Sequence, residues 1–90
     1  MKIHEVITEA QWCKFTMARD VNDKAVNRDD PNAVKWCALG WVAKCYPVIG
    51  LKSQIQAEFI TAYNIPIHSW NDKPERTFGE VLEMFTKLDI

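Results

Sequence analysis

Cys37, His68 and Asn71 supply the residue types of a cysteine–histidine–asparagine triad. That chemistry needs a thiolate, a base within hydrogen-bond reach and a group that orients the base. Reactive cysteines usually sit at helix N-termini, where the dipole lowers the thiol pKa. Cys37 falls instead about two turns into an apolar helical stretch, where a free cysteine reads as a buried, inert thiol. A small cysteine-dependent hydrolase or transferase is therefore an alternative reading. A zinc site would draw on Cys13, Cys37, Cys45, His4 and His68. Cys37 and Cys45 are too far apart for one ion, about 12 Å along a helix rising 1.5 Å per residue. The C-x-x-C pair typical of structural zinc is absent. A calcium loop beginning at Asp20 fails on spacing, with Ala25 at the glycine position and Pro31 at the glutamate position. No metal or cofactor is expected.

The densest polar cluster is Trp70-Asn71-Asp72 with Arg76 and Glu80. As an exposed surface it would carry an aromatic and an arginine, types enriched at binding hot spots. The structural reading, which turn and capping rules favour, gives each residue a local job. Asn71 and Asp72 form a turn, Arg76 pairs with Asp72 or a carbonyl, Trp70 fills the core and Glu80 caps a helix. Trp36 is a second interface candidate, exposed beside Leu39 and Gly40. The candidate binding residues are thus Trp70, Asn71, Asp72, Arg76 and Trp36.

These residues need a frame, and the stretch 30–46 is its expected centre. Asp30 can cap a helix and Pro31 suits the first helical position. Val34, Cys37, Ala38, Trp41 and Cys45 then share one face, and a helix this apolar is a buried one. At about 16 residues, broken by lysines, it is too short to span a bilayer. Gly40 sits mid-helix, where glycine costs about 1 kcal/mol, and implies close approach by another backbone. Residues 1–7 read as a short strand or an extended lead-in. Thr8 with Gln11 matches a capping box opening a helix over 9–18, with Trp12, Cys13, Thr16 and Met17 on one face. Residues 19–30 read as a polar loop, with a weak hairpin option around 22–25. Ser53 with Gln56 opens a helix to Tyr63, and Asn64 suits a left-handed cap. Residues 65–76 read as irregular. Thr77 with Glu80 opens the last helix, 78–88. The fold class is a mainly helical single domain, residues 1–90, of about four helices around a buried central helix, with at most two short strands.

Ninety residues with 48% hydrophobic content fit one packed domain rather than disorder. The net charge is −1, without a cluster of Lys and Arg, so nucleic-acid binding has no electrostatic footprint. The N-terminus lacks the apolar run of a secretion signal, and three cysteines, an odd number, fit free thiols in a reducing cytoplasm. Three pieces carry a resemblance. They are Trp12-Cys13, then Asp30-Pro31 before Trp36-Cys37-Ala38-Leu39-Gly40, then Trp70-Asn71-Asp72 before Arg76-Thr77 and Glu80-Val81-Leu82. In this order they resemble a family of small bacterial and phage proteins of unknown function. The resemblance spans about residues 10–88, and Trp41 stands where that family often has a small residue. It implies an architecture and an origin, but no chemistry. The expected function is a small non-enzymatic protein that binds another protein or a second copy of itself, acting as an accessory modulator of a host system. Nucleic-acid binding is the remaining alternative.

Overall fold

A computed structural model describes residues 1–90. The chain runs α1 (Ile3–Val6), a 3₁₀ turn (Glu9–Gln11), β1 (Ala18–Arg19), β2 (Ala25–Val26), β3 (Lys35–Trp36), α2 (Ala38–Cys45), α3 (Ile49–Tyr63), α4 (Ile67–Asn71) and α5 (Phe78–Lys87). It is mainly helical, but five helices and a three-stranded antiparallel sheet replace the expected four helices. None of the helices is long and apolar enough to cross a membrane.

The largest departure is the central stretch. The Asp30 carboxylate accepts from Asn32 N at 2.7 Å, and Ala33 N donates to Asp30 O. This is a turn that spends the expected cap. Val34 N then donates to Arg19 O, and β3 pairs with β1 in the register Ala18↔Trp36 and Arg19↔Lys35. Helix therefore starts at Ala38, with Cys37 as its N-cap: the thiol sulfur accepts from Gly40 N at 3.3 Å. The expected helix 31–46 keeps only its second half. That half is central as anticipated, in contact with α1, α3, α4 and β3. Ala38, Trp41 and Val42 enter the main core with Ile55, Phe59, Trp70, Val81 and Phe85.

The expected helix over 9–18 is reduced to one 3₁₀ turn. Thr8 makes no cap to the backbone; its hydroxyl donates to the Gln11 side-chain oxygen instead. Beyond it the chain goes extended, because β3 offers backbone partners. Trp12 bridges Trp36 in parallel, and Cys13 N donates to Trp36 O at 3.2 Å. Residues 13–17 then wrap round the end of β3, so that Ala18 lies antiparallel on its other side. Phe15 takes φ 71°, a left-handed conformation that no helix accommodates.

The hairpin option in the polar loop is realised. β1 and β2 pair around a turn in which Asp20 Oδ1 accepts from Asn22 N and Lys24 N, and Asp23 takes φ 64°. Residues 1–7 form α1 rather than a strand, and α1 packs on α5 through the fully buried Ile3. α3 begins before Ser53, at Ile49, and ends on Asn64 at φ 65°. α4 interrupts the segment expected to be irregular. The Thr77–Glu80 capping box forms: Glu80 N donates to Thr77 Oγ1, and Thr77 N donates to Glu80 Oε1 at 2.9 Å.

Gly40 shows why a glycine stands in the first turn of α2. A Cβ there would overlap the Met17 carbonyl oxygen and sit 3.2 Å from Trp36 Cβ. The crossing backbone is the 13–17 wrap. Its Met17 O is held by Cys37 N at 3.2 Å.

Candidate functional site

Trp70 and Asn71 point inward while Glu80 stays at the surface, so the cluster follows the structural reading rather than forming an exposed recognition surface. Trp70 is 6% exposed and Asn71 0%. The Trp70 ring meets Phe59 edge-on at 5.5 Å and Tyr63 at 5.4 Å. Asn71 satisfies all four of its side-chain hydrogen-bonding positions. Its Oδ1 accepts from Trp12 Nε1 at 2.7 Å and Ala38 N at 3.1 Å. Its Nδ2 donates to Cys13 O at 3.1 Å and Asp72 Oδ1 at 3.0 Å. One side chain thus ties α4 to the start of α2 and to the 12–13 strand segment. Asp72 Oδ1 also accepts from Phe15 N at 2.8 Å, fixing the strained residue of the wrap. Lys14 Nζ adds bonds to Lys73 O and Pro74 O.

Arg76 packs its guanidinium over the Trp70 ring, 3.9 Å from the centroid, and donates from Nε to Trp70 O at 3.0 Å. Its charge partner is Glu80 at 3.1 Å, not Asp72. Glu80 is thereby held below the usual carboxylate range, first by the Thr77 N–H bond and then by the Arg76 charge. Trp36 is also buried, at 8%, and not free for an interface. Its ring meets Trp41 edge-on at 5.3 Å, its Nε1 donates to Arg28 O, and Lys44 Nζ lies 4.5 Å from its centroid. What remains of Trp36 lines an open pocket of about 340 Å³ bounded by Arg28, Asp30 and Lys44.

The structure brings together two members of the proposed triad and removes the third. Cys37 and His68 line one surface pocket of about 210 Å³ with Phe15, Met17, Leu39 and Asp72. Asn71 is locked in the core and does not orient His68. Cys37 sits at a helix N-terminus after all. The N–H groups of Gly40 and Leu39 pull its pKa down, but burial outweighs them and raises it. Cys13 is pushed up to about 11, chiefly by burial. At neutral pH both are thiols. No three of the His, Cys, Asp and Glu side chains converge to hold a metal. Sequence reading missed Met17, whose Sδ lies 3.9 Å from Cys37 Sγ. Only the wrap places it there, although Phe15, falling off the expected helical stripe, was a hint that the helix was wrong.

Phe15, at 67% exposure, stands at the Cys37–His68 pocket, and a second group of exposed apolar side chains lies on α3. Val48 and Ile49 open α3 at 64% and 82% exposure, Leu51 stands at 42% and Ile60 at 46%. Ile49, Ser53, Ala57 and Ile60 follow helical spacing along one outward face, with Gly50, Gln54 and Thr61 beside them, all exposed. α3 carries only two charges, Lys52 and Glu58, and neither lies in that row.

Comparison with known proteins gives a family without an activity. No curated protein and no solved structure matches the chain significantly. A sequence model of a family of unknown function, DUF6197, matches residues 1–88, and the chain belongs to that family.

Proposed function

We propose that this chain is a small non-enzymatic protein-binding protein, a bacterial or phage-encoded accessory modulator that docks on a host protein in the cytoplasm. The observation that carries the reading is the outer face of α3. It presents Val48, Ile49 and Ile60 to solvent around the small residues Gly50, Ser53 and Ala57. Contiguous exposed apolar surface marks interaction sites in soluble domains. Small residues let a second backbone come close, and the uncharged row favours an apolar partner segment over an ionic one. The reading also agrees with how the chain uses its chemically versatile residues. Trp70, Asn71, Asp72, Arg76 and Trp36 are engaged within the fold. The dispersed Lys and Arg residues give nucleic acid no basic groove.

The test is affinity capture from lysate of the source cell, using wild type and an Ile49→Glu/Ile60→Glu variant. Both positions are exposed, so the variant should fold, which circular dichroism checks. A stoichiometric partner retained by wild type and lost by the variant supports the reading. A partner held equally by both, or none, refutes docking on α3. Light scattering of the purified chain separates a second copy as occupant: a dimer dissociated by the variant would make the face a self-association surface.

A further inference from the structure

We propose that the pocket between the 13–17 wrap, the start of α2 and α4 is a binding site for a soft monovalent metal ion, copper(I), with Cys37 Sγ and Met17 Sδ as sulfur ligands and His68 as the nitrogen ligand. Thiolate, thioether and imidazole are the donors that soft copper(I) takes, while harder divalent ions prefer oxygen. The two sulfurs are already positioned. At 3.9 Å apart, with metal–sulfur bonds of about 2.3 Å, they would subtend an angle of about 115°. That is the angle of a three-coordinate site. His68, an exposed residue, lines the same pocket and is the imidazole there to complete the set.

Donor softness decides which ion fits. On binding, Cys37 loses its proton to solvent, and the thiolate with copper(I) makes a neutral unit, which suits a cysteine that is 3% exposed. Zinc(II) would have to take a thioether as one of its donors, a ligand that suits copper(I) better. The thiolate has ready stabilisation: Gly40 N–H already points at the sulfur from the first turn of an eight-residue helix. The backbone that carries Met17 is held by its own carbonyl, which receives Cys37 N, and by the tie from Asp72 to Phe15 N.

The experiment is anaerobic titration of the reduced protein with copper(I) against a chromophoric copper(I) chelator, with native mass spectrometry for stoichiometry. Wild type should bind one ion per chain. Cys37→Ser keeps a capping side chain, since serine is a favoured N-cap, and should lose affinity by about 100-fold or more. Met17→Leu and His68→Gln should each lose about tenfold or more. Cys45→Ser, outside the pocket, should bind as wild type. Zinc should compete at least about 100-fold more weakly. Selenomethionine-labelled wild type gives a readout that does not depend on a variant folding: selenium absorption spectra should show a copper neighbour in the loaded protein. Failure to compete with the chelator, wild-type affinity in Cys37→Ser or Met17→Leu, equal zinc binding, or selenium without a copper neighbour would each overturn the proposal.

Discussion

Replacing Gly40 by alanine sets two rules against each other. Helix propensity alone says that alanine in α2 should stabilise by up to about 1 kcal/mol. The structure says the opposite. The new methyl would overlap Met17 O, lie 3.4 Å from Met17 C and lie 3.2 Å from Trp36 Cβ. None of these atoms is the free end of a flexible side chain. Inserting a methyl into so tight a contact costs about 1–3 kcal/mol. If the wrap instead moves away to relieve it, Cys37 N loses Met17 O, and a buried unpaired N–H costs a similar amount, about 1–3 kcal/mol. On either route, less the propensity gain, the net is a loss of about 1–2 kcal/mol. In a domain of this size that is a fall of roughly 4–16 °C in Tm. A 90-residue domain with about 5–13 kcal/mol of stability should still fold at 25 °C. Urea unfolding followed by tryptophan fluorescence and circular dichroism measures the difference. Gly50→Ala is the matched control, because a Cβ there meets nothing within 4 Å and should be neutral or stabilising. Gly40→Ala as stable as wild type, or more so, would refute the close crossing of the wrap over α2.

Asn71→Ala leaves Trp12 Nε1, Ala38 N and Cys13 O without their partner and should cost at least about 3 kcal/mol in the same urea assay. Asn71→Asp places a second carboxyl beside Asp72, so burial and repulsion raise its folded pKa; its penalty should be smallest below about pH 4, where one donor of two is lost, and grow as pH rises. Burial holds the Cys13 thiol at about 11, above the unfolded value near 8.5, so the unfolded chain releases its proton first. Stability from this group is complete below about pH 8.5 and is lost between there and about pH 11; Cys13→Ala should flatten that alkaline decline in unfolding midpoints measured against pH. The Glu80 carboxyl shows the opposite sign, being depressed in the fold: its contribution is complete above the unfolded value of about 4.3 and fades as pH falls through the lower folded value. Glu80→Gln should reduce the acid slope of the same curve, and Thr77→Ala should cost about 0.5–2 kcal/mol at pH 7.

Legibility in the sequence tracked how local the deciding contacts were. The Thr77–Glu80 box and the Asn64 cap are settled within four residues, and both stand where the sequence places them. Gly40 announced a close crossing, although nothing local named Met17 as the crossing strand. The two failed helices, 9–18 and the first half of 31–46, failed together and for one reason. Each carries an apolar pattern that a helix would accept, but each also supplies a partner that the other can pair with. Trp12 and Ala18 flank Trp36 on its two sides, so the pairing of one segment extends the other. A pair of segments 24 residues apart is invisible to a window of helical periodicity. The same blindness hid the candidate metal pocket: Cys37 looked buried in mid-helix, and the sheet moved it to a helix start beside Met17.

Trp36, Trp70 and Asn71, among the residues the sequence offered for meeting a partner, proved unavailable for it. A 90-residue domain has few positions that can be wholly buried, and this one gives one of them to Asn71. The reason lies in the short secondary structure. Each strand has two residues, so the sheet has few ladder bonds with which to hold its register. The side chains of Asn71, Asp72 and Arg19 supply what the ladder lacks, tying Cys13 O and Phe15 N to the end of α4 and Lys14 O to the hairpin, while Lys14 itself reaches the carbonyl of Lys73. Polar groups used this way are costly to remove, and Asn71, with all four of its side-chain positions filled, has none left for a ligand. Availability therefore passes to plainer residues. α3 needs no such ties: fifteen residues long, it satisfies its own backbone and can leave Ile49 and Ile60 to solvent. Substitutions on its outer face should accordingly change partner capture while leaving the urea midpoint within about 0.5 kcal/mol of wild type. Substitutions in the Asn71 network should move the midpoint first, and capture only as the fold fails.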